Sequence, residues 1–393
     1  MTVEQSLEPK VESFKSRALT REELSFQTAS RPFPLVIESS GGETFTGLRD
    51  TVQAQRSRLE EILWEHGAIV FRGFPVSGYR EYEDFIDALF PKQAITQYFM
   101  SEPGRTLIPG TRKLFDTDSR KKGLFKYYLG GAHSENFFSS DVPAYLCFWN
   151  KRVAPKGGET AVIDGQGLYT DLSPSLQKKL GEKEVLAATF PLSEVAARYG
   201  LRADEVKLHA LARGLRVTEG PSGPVIQIFK PLIWEHPVTG RRSLQFNSNI
   251  FPEIDYYLRK IVASQYRGAA WFAHKLIWKA LDLSSRSLRS GGESTHRPSL
   301  SRSEQEALAK LVWNHTTLVK WQLNDVLVID NFQLLHMPMP WIGKRELRVM
   351  MAAPVQRLDE GSSGRFKRPS EGAGAETFGG FLEHISKAAQ ATP

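Results

Sequence analysis

The chain has 393 residues, of which 41% are hydrophobic, 11% aromatic and 24% charged. This balance is that of a globular protein with enough apolar material for a core, and it excludes collagen-like, coiled-coil and wholly disordered chains. No window approaches 18 uninterrupted apolar residues, which argues against a membrane-spanning helix. The formal net charge is +7 and the sequence pI is near 9.3, which favours anionic partners only modestly.

The beginning of the chain and its cysteine content predict a cellular compartment. The first 23 residues contain no apolar segment followed by a small-residue cleavage site, so no secretory signal is predicted. Cys147 is the single cysteine, and a chain with one cysteine forms no internal disulfide bond. Both features predict a cytoplasmic protein.

The first part of the chain combines helical and strand patterns. Residues 1–34 are mostly polar and charged, which predicts an N-terminal arm that is either loose or a peripheral helix. Residues 51–66 carry apolar side chains at helical spacing and are followed by Gly67, in the position of a C-cap glycine. Residues 68–74 are typical of a buried strand, and residues 79–90 are typical of an amphipathic helix.

The middle and the last third of the chain are dominated by short strands. Between residues 95 and 255, short apolar or alternating stretches are punctuated by Gly, Pro and Asn, with one helix predicted at 173–184. Helices are also predicted at 254–282 and 304–312, and strands in LNDVLVIDN and ELRVMMAAPV. Many short strands flanked by helices predict a mainly β fold, either a barrel or a double-sheet jelly roll with helical buttresses.

Two segments differ in composition from the domain predicted at 35–355. Residues 284–303 hold eight serines and four arginines in twenty positions, which predicts a flexible insertion that contributes nothing to a core. Residues 356–393 are rich in Gly, Ser and charge, which predicts a C-terminal tail with one short amphipathic piece, FLEHISKAA.

The first candidate chemical group is the pair His133 and Glu135, in GGAHSENFF. In a strand, residues two apart project to the same face, so this imidazole and this carboxylate can reach one metal ion. An H-x-E pair also occurs often by chance. The pair therefore needs a further ligand before it predicts a metal site.

His336 supplies the candidate third ligand. It follows the apolar stretch VLVIDNFQLL and precedes the irregular Met-Pro-Met-Pro sequence. On its own it could be a packed core histidine. Opposite the H-x-E pair, it completes two histidines and one carboxylate on one face of an octahedral ion, an arrangement with three open positions that suits Fe(II). Zinc prefers a tetrahedral set with fewer vacancies.

A bidentate organic acid would fill two of the open positions, and its far carboxylate would need a fixed cation. Arginine suits this role because its planar fork matches a carboxylate and its charge does not titrate. Arg348 and Arg345 lie 12 and 9 residues after His336, and the hydroxyl of Thr160, in KGGET, could add a hydrogen bond. Each could equally be a surface charge or a hairpin corner.

Together these stretches resemble the taurine dioxygenase and clavaminate synthase-like family of Fe(II)/2-oxoglutarate-dependent oxygenases. The matching stretches occur in the family's order over residues 35–355. They are GAIVFRGF (67–74), HSENFF with an H-x-E motif, PKGGET (155–160), HPVTGRRSLQFN (236–247), WQLNDVLVIDNFQLLH (321–336) and the arginine strand that follows.

The resemblance implies a double-stranded β-helix core (jelly roll, cupin-like) and a role for each candidate residue. His133, Glu135 and His336 would be the iron ligands, and Thr160 and Arg348 would bind the C5 carboxylate of 2-oxoglutarate. Arg345 is the fallback for Arg348. Relatives often carry a second arginine four residues further on, where this chain has Ala352. This difference argues against a sulfonate or free-carboxylate substrate bound in that way.

The resemblance also implies a reaction. Fe(II), 2-oxoglutarate and O2 would support hydroxylation of an unactivated C–H bond in a small molecule, amino-acid-derived or a natural-product intermediate, with release of succinate and CO2. Desaturation, cyclisation, or a carrier-tethered, protein or nucleic-acid substrate are alternatives within the fold. Residues 284–303 would be a lid near the active-site mouth.

The non-enzymatic alternative is a basic nucleic-acid-binding module, suggested by the pI and the Ser/Arg-rich segment. The sequence contains no zinc-finger spacing, no helix-turn-helix pattern and no run of interleaved basic and aromatic residues, which argues against it. The oligomeric state is not indicated by the sequence.

Overall fold

A computed structural model describes residues 14–26, 33–95, 99, 108–116, 127, 129, 131–182, 184–248, 250–288, 296–357, 365–367 and 377–391. Its helices are α1 (Phe45–Ala54), α2 (Arg56–His66), α3 (Tyr79–Leu89), α4 (Gly165–Asp171), α5 (Pro174–Gly181), α6 (Leu192–Tyr199), α7 (Ala203–Ala212), α8 (Pro252–Gln265), α9 (Phe272–Leu288), α10 (Arg302–Asn314) and α11 (Phe378–Ala391). Its strands are β1 (Lys15–Arg17), β2 (Leu35–Glu38), β3 (Ala68–Arg72), β4 (Phe115–Asp116), β5 (Val142–Arg152), β6 (Lys156–Gly157), β7 (Thr160–Asp164), β8 (Val185–Pro191), β9 (Arg216–Gly220), β10 (Gly223–Lys230), β11 (Ile233–Glu235), β12 (Arg242–Leu244), β13 (Thr316–Val319), β14 (Val326–Asp330), β15 (Leu334–Pro338), β16 (Trp341–Ile342), β17 (Glu346–Arg357) and β18 (Phe366–Lys367).

Two sheets face each other around one apolar layer. The larger sheet has the strand order β1-β2-β3-β14-β5-β17-β18, with β4 paired to β17, and the smaller has the order β13-β7-β15. Alternate side chains of both sheets meet in a shared buried cluster, as expected of strands whose inner faces are apolar. From the larger sheet this cluster includes Val70, Phe148, Leu327 and Met351, and from the smaller sheet Val162, Val319 and Leu334.

Helices cover the opposite face of the larger sheet. α2 buries Leu59, Ile62 and Leu63 and ends at Gly67, which has φ of +78° and whose amide donates to the Leu63 carbonyl. A residue with a Cβ rarely adopts this φ, so glycine lets the chain turn directly from α2 into β3. The predicted C-cap and strand are therefore confirmed, whereas the helix predicted at 51–66 is divided at Gln55 between the end of α1 and α2.

A separate apolar unit combines segments from the middle of the chain with the C-terminal helix. β8, β10 and β9 form a three-stranded antiparallel sheet, and α6, α7 and α11 pack against it. The carboxylate of Asp141, immediately before β5, accepts the amides of Phe378 and Gly379 at the start of α11. The predicted C-terminal tail therefore includes a helix that is docked on the protein.

Other expectations also differ from the structure. The fold is mixed helix and sheet rather than mainly β. Within the predicted 284–303 insertion, α9 continues to Leu288 and α10 begins at Arg302, and 289–295 lie outside the described residues. Most of FKYYLGG (125–131), one of the short apolar stretches between residues 95 and 255 that were predicted as strands, also lies outside them. Among the described residues, no helix is long and apolar enough to cross a membrane.

The N-terminal segment is tied to the larger sheet by a buried ionic network. β1 pairs with β2, so residues 15–17 add a strand to the sheet where a loose arm or a helix was expected. The guanidinium of Arg72 binds Asp325 through two contacts, at 3.1 and 2.6 Å, and also binds Glu23. Arg17 donates to Glu23 and to Glu38. Each charge in this network has an opposite charge beside it, which offsets the cost of burial.

We expect Glu23→Gln to lower the free energy of unfolding by about 1–3 kcal/mol at pH 7, the usual range for losing hydrogen bonds to a charged group. Hydrogen bonds from Arg17 lower the pKa of Glu23 from 4.5 to about 2. Because the folded pKa is depressed, this stabilisation is present above pH 4.5 and is lost as the pH falls towards 2. Denaturant unfolding of both proteins across this range measures the difference, which should shrink on acidification. Glu22→Gln, at an exposed neighbour, is the control, and a difference independent of pH would contradict the assignment.

Candidate metal centre

The two candidate histidine ligands are backbone partners. His133 and His336 lie 203 positions apart in the chain, yet the His133 amide donates to the His336 carbonyl at 3.0 Å and the reverse bond is 2.9 Å. Residues paired in this way in antiparallel chains project their side chains to the same side. The two imidazole centroids are accordingly 4.2 Å apart.

The H-x-E motif lies at the end of an extended segment. Residues 132–134 bridge between 246–248 and β15, and the chain then turns at residues 135–138. The expectation that His133 and Glu135 share one strand face is therefore replaced by a bridge followed by a turn. The turn is held by Asn331, whose side-chain oxygen accepts the Glu135 amide at 2.8 Å and whose side-chain nitrogen donates to the Glu135 carbonyl at 3.2 Å.

The three candidate ligands converge on one point. Nε2 of His336 is 3.4 Å and Nε2 of His133 is 3.8 Å from the same oxygen, Oε2 of Glu135. All three ligand atoms lie within 4.8 Å of one another. Adjacent ligand atoms about 2.1 Å from a metal ion are about 3 Å apart in an octahedral site. The three donor atoms would therefore need to move only slightly closer together to bind an ion.

The hydrogen bonding of His133 shows that this donor set suits a cation. Its Nδ1 is 2.6 Å from the carbonyl oxygen of Gly131, and a carbonyl can only accept, so Nδ1 carries the proton in a neutral ring. Nε2 then presents a lone pair towards the carboxylate of Glu135, which is 2% exposed. Two facing acceptors repel unless a cation lies between them. The site therefore fits a divalent metal ion.

A third histidine, His236, supports the turn at residues 135–138 indirectly. Nδ1 of His236 accepts the amides of Val238 and Thr239, so its Nε2 carries the proton and donates to Asp330 at 2.8 Å. Asp330 immediately precedes Asn331, which holds Glu135. The HPVTGR stretch thus fixes the residues that orient a candidate ligand. Sequence matching singled out this stretch but gave no role to Asp330 or Asn331.

Thr160 lies on β7, the strand that pairs with β15. In the pairing of β7 with β15, Val162 faces His336 and Thr160 faces Pro338. Residues 160 and 162 share a strand face, so Thr160 projects to the side of the candidate metal site. Its hydroxyl oxygen accepts the indole N–H of Trp321 at 3.2 Å. Because this oxygen accepts the indole N–H, the hydroxyl proton of Thr160 points away from Trp321.

The two candidate arginines, Arg345 and Arg348, have different surroundings. Arg345 is 6% exposed, donates to the Gly158 carbonyl at 3.1 Å and lies over the ring of Trp341 at 4.0 Å. Gly158 is two residues before Thr160. Burial lowers the pKa of Arg345 to about 10, against the opposing charge of Glu159, so the group is cationic at neutral pH.

Arg348 points away from this region. It is paired across the sheet with Trp149 and its guanidinium lies 6.0 Å from the ring of Tyr79, on the face that α3 covers. Trp149 lies in β5. Its neighbour in that strand, Phe148, projects to the opposite face of the sheet and contacts His336. The guanidinium of Arg348 therefore lies on the other side of the larger sheet from His336.

The family is established by comparison with known proteins. Residues 29–351 match the model of the family described as taurine catabolism dioxygenase TauD, TfdA family. The chain belongs to this family, which confirms the resemblance noted in its motifs. It is an Fe(II)- and 2-oxoglutarate-dependent dioxygenase, with O2 as cosubstrate.

Individual relatives are distant. The chain is 23% identical over 308 residues to the dapdiamide synthesis protein DdaC of Enterobacter agglomerans, covering 76% of this chain and 85% of that protein. It is 23% identical over 346 residues to a clavaminate synthase-like protein of Arabidopsis thaliana, covering 81% and 93%. A putative alpha-ketoglutarate-dependent taurine dioxygenase structure from Burkholderia xenovorans aligns with a TM-score of 0.50 at 14% identity, covering 91% and 98%.

Proposed function

We propose that His133, Glu135 and His336 bind the Fe(II) ion, at a site between the two facing sheets. The observation that carries this proposal is the convergence of both histidine Nε2 atoms on Oε2 of Glu135, at 3.8 and 3.4 Å. Two histidines and one carboxylate on one face of an ion leave coordination positions for a chelating cosubstrate and for O2. The two-sheet arrangement around this site supports a double-stranded β-helix core of the jelly-roll, cupin-like type.

We infer that Thr160 and Arg345 bind the far carboxylate of 2-oxoglutarate. Arg345 replaces Arg348 in this role because it lies beside Gly158 and Glu159, at the start of the strand that carries Thr160. A buried guanidinium forms charge-assisted hydrogen bonds with a carboxylate, and these are stronger than bonds between neutral groups. Trp321 acts through Thr160, because its indole N–H fixes the orientation of the hydroxyl.

The proposed reaction is hydroxylation of a small molecule. When bound, Fe(II) supplies the oxidising chemistry by which R–H, 2-oxoglutarate and O2 give R–OH, succinate and CO2. The chain contributes fixed ligands, a cation for the cosubstrate and an apolar surround that excludes water. A substrate related to amino acids or to natural products is supported by the relative named for dapdiamide synthesis.

The direct test is substrate-stimulated succinate formation. The purified protein would be incubated anaerobically with Fe(II) and 2-oxoglutarate, exposed to O2, and screened against a library of amino-acid derivatives and natural-product intermediates. A productive compound raises succinate formation well above the uncoupled rate and gains one oxygen atom by mass spectrometry. A product that loses two hydrogens instead would show desaturation or cyclisation and would contradict hydroxylation.

Trp321→Phe is expected to raise the KM for 2-oxoglutarate by about 2- to 10-fold with little change in kcat. The substitution removes one hydrogen bond to Thr160, whose net value is about 0.5–1.5 kcal/mol, and keeps an aromatic ring in place. Steady-state succinate formation at varied 2-oxoglutarate measures the effect. Trp64→Phe is the control, because it removes an indole hydrogen bond to Tyr145 on the other side of the sheet. An equal change in both variants would show a general loss of packing.

A further inference from the structure

A hydrogen-bonded path leads from α8 to the imidazole of His133. The carboxylate of Asp255 accepts the amide of Gly131 at 2.7 Å, and the carbonyl of Gly131 lies 2.6 Å from Nδ1 of His133. On its other side, Oδ2 of Asp255 is 3.0 Å from Nε of Arg259, one helical turn further along α8. The path therefore runs from a cation through a carboxylate and the backbone of Gly131 to a proposed iron ligand.

Local structure explains why these groups meet. Gly131 has φ of +79°, a conformation that residues with a Cβ rarely adopt, and it places both polar groups of this residue in hydrogen bonds. Asp255 lies in the first turn of α8, and the buried side chains of Ile254, Leu258 and Val262 hold that helix against the core. The carboxylate is therefore presented by a rigid element.

His133 and His336 differ in how their imidazole rings are held. Nδ1 of His133 is held by the path through Gly131. Nδ1 of His336 is buried and makes no hydrogen bond with any described residue. The orientation of His336 instead comes from its backbone pairing with His133 and from packing on Phe148. A change at Asp255 should thus alter one ligand while leaving the other in place.

We propose that Asp255 is a positioning residue for the iron ligand His133 and acts through the backbone of Gly131. The hydrogen bond from the Gly131 amide to the Asp255 carboxylate holds the Gly131 backbone, and with it the position of the carbonyl that accepts the imidazole N–H. A fixed acceptor at Nδ1 sets the tautomer and the ring orientation of His133, so that Nε2 faces the metal site. The inference rests on the proposed function, because it requires His133 to bind the metal.

The test measures metal binding without turnover. Co(II) serves as the probe, because its affinity can be titrated and its visible ligand-field bands report ligand geometry. We expect Asp255→Ala to weaken Co(II) binding by about 10- to 100-fold, the usual range for outer-shell partners of metal ligands, and to shift these bands. Asp255→Asn, which keeps a side-chain oxygen for the Gly131 amide, should restore part of the affinity.

Glu253→Gln is the matched control. Glu253 lies in the same turn of α8 and pairs with Arg297, so its substitution perturbs the helix without touching the path. Native affinity and an unchanged spectrum in Asp255→Ala would overturn the proposal, as would an equal loss in Glu253→Gln. If Asp255→Ala does not fold, as judged by thermal denaturation, the comparison of Asp255→Asn and Glu253→Gln decides the question, and native affinity in Asp255→Asn then overturns it.

A separate arm distinguishes failure of this inference from failure of the proposed function. Co(II) binding by the native chain should be lost in His133→Ala. If His133→Ala binds Co(II) as the native chain does, the metal site itself is wrongly assigned. If His133→Ala loses binding while Asp255→Ala keeps it, the metal site stands and only the role of Asp255 is refuted.

Discussion

Replacing His133 or Glu135 by alanine is expected to reduce Fe(II)-dependent succinate formation by about a thousandfold or more. Each residue supplies one of three converging donors, and a bound metal contributes several kcal/mol to catalysis, at about 1.4 kcal/mol for each factor of ten. The measurement is succinate formed from 2-oxoglutarate under saturating Fe(II), together with metal content after desalting. Both quantities should fall, because the remaining two donors bind the ion weakly.

His384→Ala is the control for this experiment. His384 is exposed on α11, so its removal changes the histidine content of the chain and leaves the site intact. It should retain native activity and native metal content. Full activity in either His133→Ala or Glu135→Ala, with the protein folded, would refute the proposed ligand set. Equal losses in all three variants would point to a loss of stability instead.

Arg345→Ala is expected to raise the KM for 2-oxoglutarate by about 30-fold to several thousandfold. Truncating one partner of a buried, hydrogen-bonded charge pair costs about 2–5 kcal/mol, and each 1.4 kcal/mol corresponds to a factor of ten. Arg345→Lys keeps the charge but loses the planar fork, so it should lie between the native protein and the alanine variant. Initial rates at varied 2-oxoglutarate measure all three proteins, and Co(II) binding shows that the metal site persists.

Arg348→Ala is the discriminating comparison. Its guanidinium lies near Tyr79 on the opposite face of the sheet, so its removal should leave the KM for 2-oxoglutarate within a few-fold of native. The reverse pattern, a large effect at residue 348 and none at 345, would show that the cosubstrate is bound as the motif spacing alone predicts. In that case the orientation of this strand would have to change on binding.

Local patterns predicted the elements whose signal is short-range and strong. α2, its glycine cap and β3 follow from apolar spacing and one glycine, which act within a few residues of each other. α7 was not predicted. Its apolar side chains do not share one face, since Leu208 is 66% and Leu211 is 51% exposed, so no clear stripe marks it as a helix. Its unit is stabilised by α11, which lies more than 150 positions later in the chain.

The sequence by itself determined the chemistry available to this protein. Two histidines and a glutamate are recognisable in short motifs because the capacity to bind a metal resides in the side chains themselves. Tertiary structure decided which neighbours serve them. Arg345 precedes β17 and contacts Trp341 and Gly158, whereas Arg348 lies within β17 with its guanidinium near Tyr79. Spacing along the chain cannot choose between them, because Gly158 and Tyr79 are distant from both arginines in sequence. The contact of Asp255 with Gly131 likewise joins positions that are distant in sequence, and only the folded packing of α8 brings them together.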